Sequence, residues 1–143
     1  GYVVSEKVEG ELIGEFLKRA KGKEIEIVLN KILEVTLRME ELGINKKEMT
    51  NPYKHIYVVN KNGEFYIKMI DYERCIFTEK PKNTTQFLQY IRKNIKLLKS
   101  KKIVLNEEKI FLISKGLRAW SLERRAKKSE NNEMQIVQLN DLI

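Results

Sequence analysis

The chain has one cysteine, Cys75, one histidine, His55, and only two prolines in 143 residues. A single cysteine rules out an internal disulfide and fits a reducing cytosol. One cysteine and one histidine also leave a structural zinc site without its usual ligands. No apolar run approaches the roughly 20 residues of a membrane span, and no signal peptide opens the chain, so a cytoplasmic protein is expected. What remains is 42% hydrophobic and 34% charged. That composition reads as one soluble, helix-rich domain, long enough to bury a core.

The net charge of +8 is unevenly placed. Residues 92–128 hold thirteen Lys/Arg against Glu107, Glu108 and Glu123, and so carry +10 while the rest sums to −2. A basic carboxy-terminal third on a near-neutral body suits a polyanion partner; a lysine-rich composition that merely solvates helix surfaces accounts for it as well.

Periodicity orders the elements. "YVVSEKV" alternates as a strand does, and "ELIGEFLKRA" (11–20) reads as a short amphipathic helix with Leu12, Ile13 and Phe16 inward. A long helix over about 24–42 carries Ile25, Val28, Ile32, Val35, Met39 and Leu42 as an apolar stripe, with Gly43 as its C′ residue. Residues 44–54 lack an apolar period and read as a loop. "HIYVV" and "EFYIKMI" flank Asn62-Gly63, a strong hairpin-turn signal. Irregular chain is expected from Asp71 to Lys82. Asn83 then reads as an N-cap paired with Gln86, starting a helix with Phe87, Leu88, Ile91, Ile95 and Leu98 inward. A further helix starts at Asn106, with Ile110, Ile113, Leu117 and Trp120 inward. Residues 127–133 form a polar linker to a short apolar tail that must dock or stay loose. The expected class is mainly α with a small β-hairpin, an α+β domain over 1–126 with the linker and tail at 127–143.

One position needs an explanation. The apolar strand "IKMI" stops on Asp71, beside Tyr72, and a carboxylate there requires a partner. It holds a metal, caps the following turn, or pairs with Arg74.

The surrounding pattern resembles the carboxy-terminal lobe of protein kinases: "IDYE" (70–73) looks like the DFG-type motif, and "KNTTQFLQYI" (82–91) is similar to a segment of an archaeal group of predicted Ser/Thr protein kinases. "YVVSEKVEG" looks like the last amino-lobe strand and hinge, and "LGINKKEMTNPYKHIYV" (42–58) looks like the catalytic loop running into its strand. The resemblance implies ATP and Mg²⁺ as cofactors and a protein substrate. Asp71 takes the metal-binding position, Glu48 the catalytic acid, and Lys46 or Lys47 neutralises the transferred phosphate. The backbone of Glu6, Lys7 and Val8 meets adenine. Phosphoryl transfer needs such an anionic group because metal ions bridge the nucleotide phosphates.

The chain also departs from the family pattern. Glu48 stands where relatives carry Asp, which displaces the carboxylate by roughly 1 Å. Lys54 or His55 replaces the asparagine that binds a second metal, and the Gly-rich loop and strand lysine are absent. The expectation is a carboxy-terminal fragment or truncated member with little activity alone, dimerising to cover the face of the missing lobe. The alternative is a non-catalytic kinase-like scaffold that binds nucleic acid or another polyanion. Lys99, Lys101, Lys102, Arg118, Arg124 and Arg125 then supply phosphate contacts, and Tyr90, Phe111 and Trp120 are either stacking platforms or core residues.

Overall fold

A computed structural model describes residues 10–46, 55–69, 75–77, 82–126 and 137–143. It has the α+β class: five helices and two small antiparallel sheets among the described residues. A two-residue strand β1 (Glu11–Leu12) leads directly into α1 (Ile13–Arg19), and α2 (Gly22–Glu41) follows after a two-residue break. Two residues of the expected first helix are thus strand, and they pair with the hairpin at Glu11↔Val58 and Leu12↔Tyr57. Leu12 is only partly buried, whereas Ile13 and Phe16 are fully buried.

Helix α2 is the axis of the molecule, but its buried face is rotated from the expected stripe. Ile25, Val28, Leu29, Ile32, Leu33, Thr36, Leu37 and Glu40 are buried. Val35 and Met39 are partly buried, and Leu42 is 61% exposed. A helix apolar over so much of its circumference has its orientation set by the elements around it. Gly43, with φ +72°, ends it as expected.

The hairpin of β3 (Ile56–Lys61) and β4 (Glu64–Met69) closes on the anticipated two-residue turn, with Lys61 opposite Glu64. Asn62 (φ +56°) and Gly63 (φ +85°) both take the left-handed conformation that a turn matching the strands' twist requires. Asn60 Oδ1 accepts a hydrogen bond from the Gly63 N–H at 3.0 Å. The hairpin packs on the helices through the edge-to-face pair Phe16–Phe65, whose centroids are 5.7 Å apart, and through Lys31, which donates to the Phe65 carbonyl.

Two stretches expected to be irregular contain strands. β2 (Ile44–Lys46) lies within the expected loop, β5 (Cys75–Phe77) lies after Asp71, and the two pair antiparallel. The expected single helix after Asn83 is two, α3 (Asn83–Lys93) and α4 (Ile95–Ser100), divided at Asn94. Asn83 is buried inside α3 and makes no N-cap. Gln86 Oε1 has no hydrogen-bond partner among the described residues, so the expected capping box is not formed.

Helix α5 (Glu107–Ala126) starts as expected: Asn106 Oδ1 accepts from the N–H groups of Glu108 and Lys109 at 2.9 and 3.2 Å. Ile110 and Leu117 are buried, and Ile113 is partly so. No helix among the described residues is long and apolar enough to cross a membrane.

The apolar tail docks. Val137, Leu139 and Leu142 are buried, and Leu139–Leu142 forms a 3₁₀ turn against α2 and α5. Its backbone is tied down by Leu139 N–H to Asn30 Oδ1 (2.7 Å) and by Asn106 N–H to the Leu142 carbonyl (2.7 Å). Leu142→Ala is expected to cost about 2–5 kcal/mol, and Ile143→Ala, on the 48% exposed neighbour, roughly 0.5 kcal/mol or less. Equal urea midpoints for the two variants would refute tail docking.

Candidate functional site

The strand registers bring two connections to common endpoints. One runs from Lys46, the last residue of β2, to Ile56, the first of β3; the other runs from Met69, the last of β4, to Cys75, the first of β5. Lys46 pairs with Cys75, and Ile56 pairs with Met69. Both connections therefore begin and finish at the same two strand pairs. The first carries Glu48 and Lys47, and the second carries Asp71. Glu48 and Asp71 lie outside the described residues, as do Glu6, Lys7 and Val8, which precede β1. Of the expected catalytic residues Lys46 alone is described, as the end of β2. His55 is buried immediately before β3.

Directly before β2 lies a buried polar cluster that the sequence reading missed. Glu40, in the last turn of α2, is 5% exposed, and its Oε1 accepts a 2.9 Å hydrogen bond from the Thr84 N–H in the first turn of α3. Thr84 Oγ1 donates to Thr36 Oγ1 at 3.1 Å, and Thr36 Oγ1 donates to the Leu33 carbonyl at 2.9 Å. α3 has no side-chain cap from its own N-cap residue, so a carboxylate from another helix satisfies one of its orphan donors. Burial pushes the Glu40 carboxyl up to about 7, against the opposing pull of its hydrogen bonds from Thr84. The signal was available in the spacing, because Thr36 and Glu40 continue the buried row of Ile25, Leu29 and Ile32.

The basic residues separate. Lys99 and Lys102 are exposed, while Lys101 is half-buried and donates from Nζ to the Lys18 carbonyl at 2.9 Å. Arg118, Arg124 and Arg125 lie along α5. Tyr90 is buried and stacked on Phe87, with centroids 5.8 Å apart, so it offers no platform for a base. Phe111 is 59% exposed rather than a core residue, and it borders an open cleft of about 350 Å³ between α3 and α5. Arg92 and Glu107, 3.7 Å apart, face each other across that cleft. No group of His, Cys, Asp and Glu suited to a metal ion occurs among the described residues. No known protein family, curated protein or solved structure matches the chain.

The Glu40 carboxyl generates a pH dependence with a definite sign. Its pKa in the fold lies above the ordinary 4.5, so folding retains a proton that the unfolded chain releases. Its contribution to stability is fully present below about pH 4.5 and is lost as pH rises through about 7. Glu40→Gln keeps an acceptor for the Thr84 N–H and removes the charge. Relative to the wild type, this variant is expected to gain up to about 3 kcal/mol between pH 5 and pH 8. Parallel denaturation profiles for the two proteins across that range would contradict the assignment.

Proposed function

We propose that the chain is a protein-kinase-like carboxy-terminal lobe that takes part in ATP-dependent phosphoryl transfer to a Ser or Thr hydroxyl. The observation that carries this reading is the common anchoring of the two connections. Glu48 follows Lys46 by two residues, and Asp71 follows Met69 by two. A catalytic acid and a metal-binding acid need segments whose ends are fixed, and paired strands fix both ends of each connection here. The order of elements supports it too: long helix, short strand, connection, hairpin, connection, and a strand returning to the first.

On this reading Asp71 is the acidic anchor for Mg²⁺, a hard cation that takes carboxylate oxygens. When bound, Mg²⁺ would supply charge neutralisation for the nucleotide phosphates. Glu48 orients the acceptor hydroxyl. As the hydroxyl oxygen forms its bond to the γ-phosphorus, the bond to the ADP oxygen breaks and the proton passes to the Glu48 carboxylate. Lys46 or Lys47 offsets the charge of the transferred phosphoryl group, and the backbone of Glu6, Lys7 and Val8 receives adenine. The buried Glu40 joins α3 to the end of α2 immediately before β2, and so supports the base of the Glu48 connection.

Thermal unfolding with ATP, with and without Mg²⁺, tests the reading. Site occupancy at a hundred times Kd is expected to add about 2.7 kcal/mol, a shift of several degrees, only when Mg²⁺ is present. Asp71→Ala is expected to lose that shift. Glu48→Gln is expected to keep it while phosphoryl transfer to a Ser/Thr peptide falls. No Mg²⁺-dependent shift, or an equal one in Asp71→Ala, would overturn the assignment of Asp71.

A further inference from the structure

Residues 80–106 contain eight Lys/Arg and no Asp or Glu. The fold brings the end of this segment against a second lysine-rich segment far away in sequence. Lys101 Nζ donates to the Lys18 carbonyl, and a Cβ on Gly22 would lie 2.6 Å from the Lys101 carbonyl oxygen. The last turn of α4 and the first turn of α2 are therefore in direct contact. Exposed Lys18, Lys21 and Lys23 from the α1–α2 junction join exposed Lys99 and Lys102 at one end of the molecule.

The acids nearby offset part of this charge: Glu15 pairs with Lys18 at 4.0 Å, Glu24 accepts from the Lys21 N–H, and Glu26 is exposed on the next turn of α2, which leaves the lysines in excess. Arg19 is excluded from the group, because its guanidinium is paired with Glu11.

The backbone at Lys102 is the second observation. α4 ends with the Ile103 N–H on the Leu98 carbonyl (2.9 Å) and the Lys102 N–H on the Lys99 carbonyl (3.0 Å). In that motif the penultimate position takes the left-handed conformation and is normally glycine. Here it is Lys102, with φ +66°. A long cation thus occupies a position where glycine fits the backbone better, which is a local cost that a ligand contact would offset.

We propose that Lys18, Lys21, Lys23, Lys99 and Lys102 form a surface that binds the phosphate backbone of double-stranded nucleic acid, separately from the phosphoryl-transfer site. Five exposed lysines brought to one junction supply the positive charge that the closely spaced phosphates of a duplex attract. The large exposed aromatics among the described residues, Tyr66 and Phe111, lie on β4 and α5 rather than at this junction. A surface without a stacking platform selects phosphates rather than unpaired bases.

The test is fluorescence anisotropy of a labelled 20-base-pair DNA duplex titrated with the full chain at several salt concentrations. Log affinity is expected to fall linearly with log salt. The Lys23→Gln/Lys99→Gln/Lys102→Gly variant is expected to flatten the slope by about 3 and weaken low-salt binding at least roughly tenfold. Lys61→Gln/Lys68→Gln on the hairpin is the control and is expected to change it far less. Lys102→Gly alone is expected to raise Tm by a few degrees while weakening binding, which separates lost contact from lost folding. No duplex binding at low salt, an equal loss in the hairpin control, or binding to phosphatidylserine vesicles in place of duplex would overturn the proposal.

Discussion

Helix α2 must bury most of its circumference, and the rest of the molecule is arranged to satisfy that requirement. The hairpin covers one side of it through Phe65 and Met69, α3 covers another, and the docked tail closes a third at Asn30. Only the row carrying Lys23, Glu26, Ile27, Glu34, Arg38 and Glu41 is left to solvent. A helix with three packed sides transmits the position of each neighbour to the others, because close-packed interiors leave little room for independent adjustment. Both ends of α2 are therefore defined places: the first turn lies against α4, and the last turn continues through Gly43 into β2.

At that last turn the apolar row runs on into Thr36 and Glu40, where a polar cluster takes over from hydrophobic contact. A buried carboxylate is unfavourable alone, and here it is partly offset by the N-terminus of α3, whose N–H groups have no cap from their own segment. The two deficits meet each other. The result fixes the angle between α2 and α3 more specifically than aliphatic packing does, since hydrogen bonds have direction and hydrophobic contact has none. It also sits at the foot of the strand that leads to Glu48, which links core packing to the proposed chemistry.

Much of the local structure was readable from residue order. The Asn62-Gly63 turn, the Gly43 helix end and the Asn106 cap are each decided by a few adjacent residues whose backbone preferences are strong. The strands β2 and β5 were not readable in that way. Each is three residues long, too short to show a period, and each exists because the other is beside it. Asn83 was read as a cap from its own neighbourhood, yet it lies inside α3, and the Thr84 N–H beside it is taken by Glu40 from another helix. Tyr90 is buried and Phe111 exposed because α3 faces the core on the Tyr90 side and α5 turns Phe111 outward. The candidate site divides along the same line. The residue types Glu48 and Asp71 stand out in the sequence, whereas the common anchoring of their two connections follows from strand register.

The sequence by itself determined the class, the hairpin, most of the helices, and the concentration of positive charge in the carboxy-terminal third, because turn chemistry, periodicity and charge are properties of neighbouring residues. Tertiary structure alone decided which face of α2 is buried, which carboxylate caps α3, and which lysines from distant segments share one surface. These are contacts between residues far apart in the chain. Their energies arise only when packing removes water and brings the partners together, so no local pattern records them.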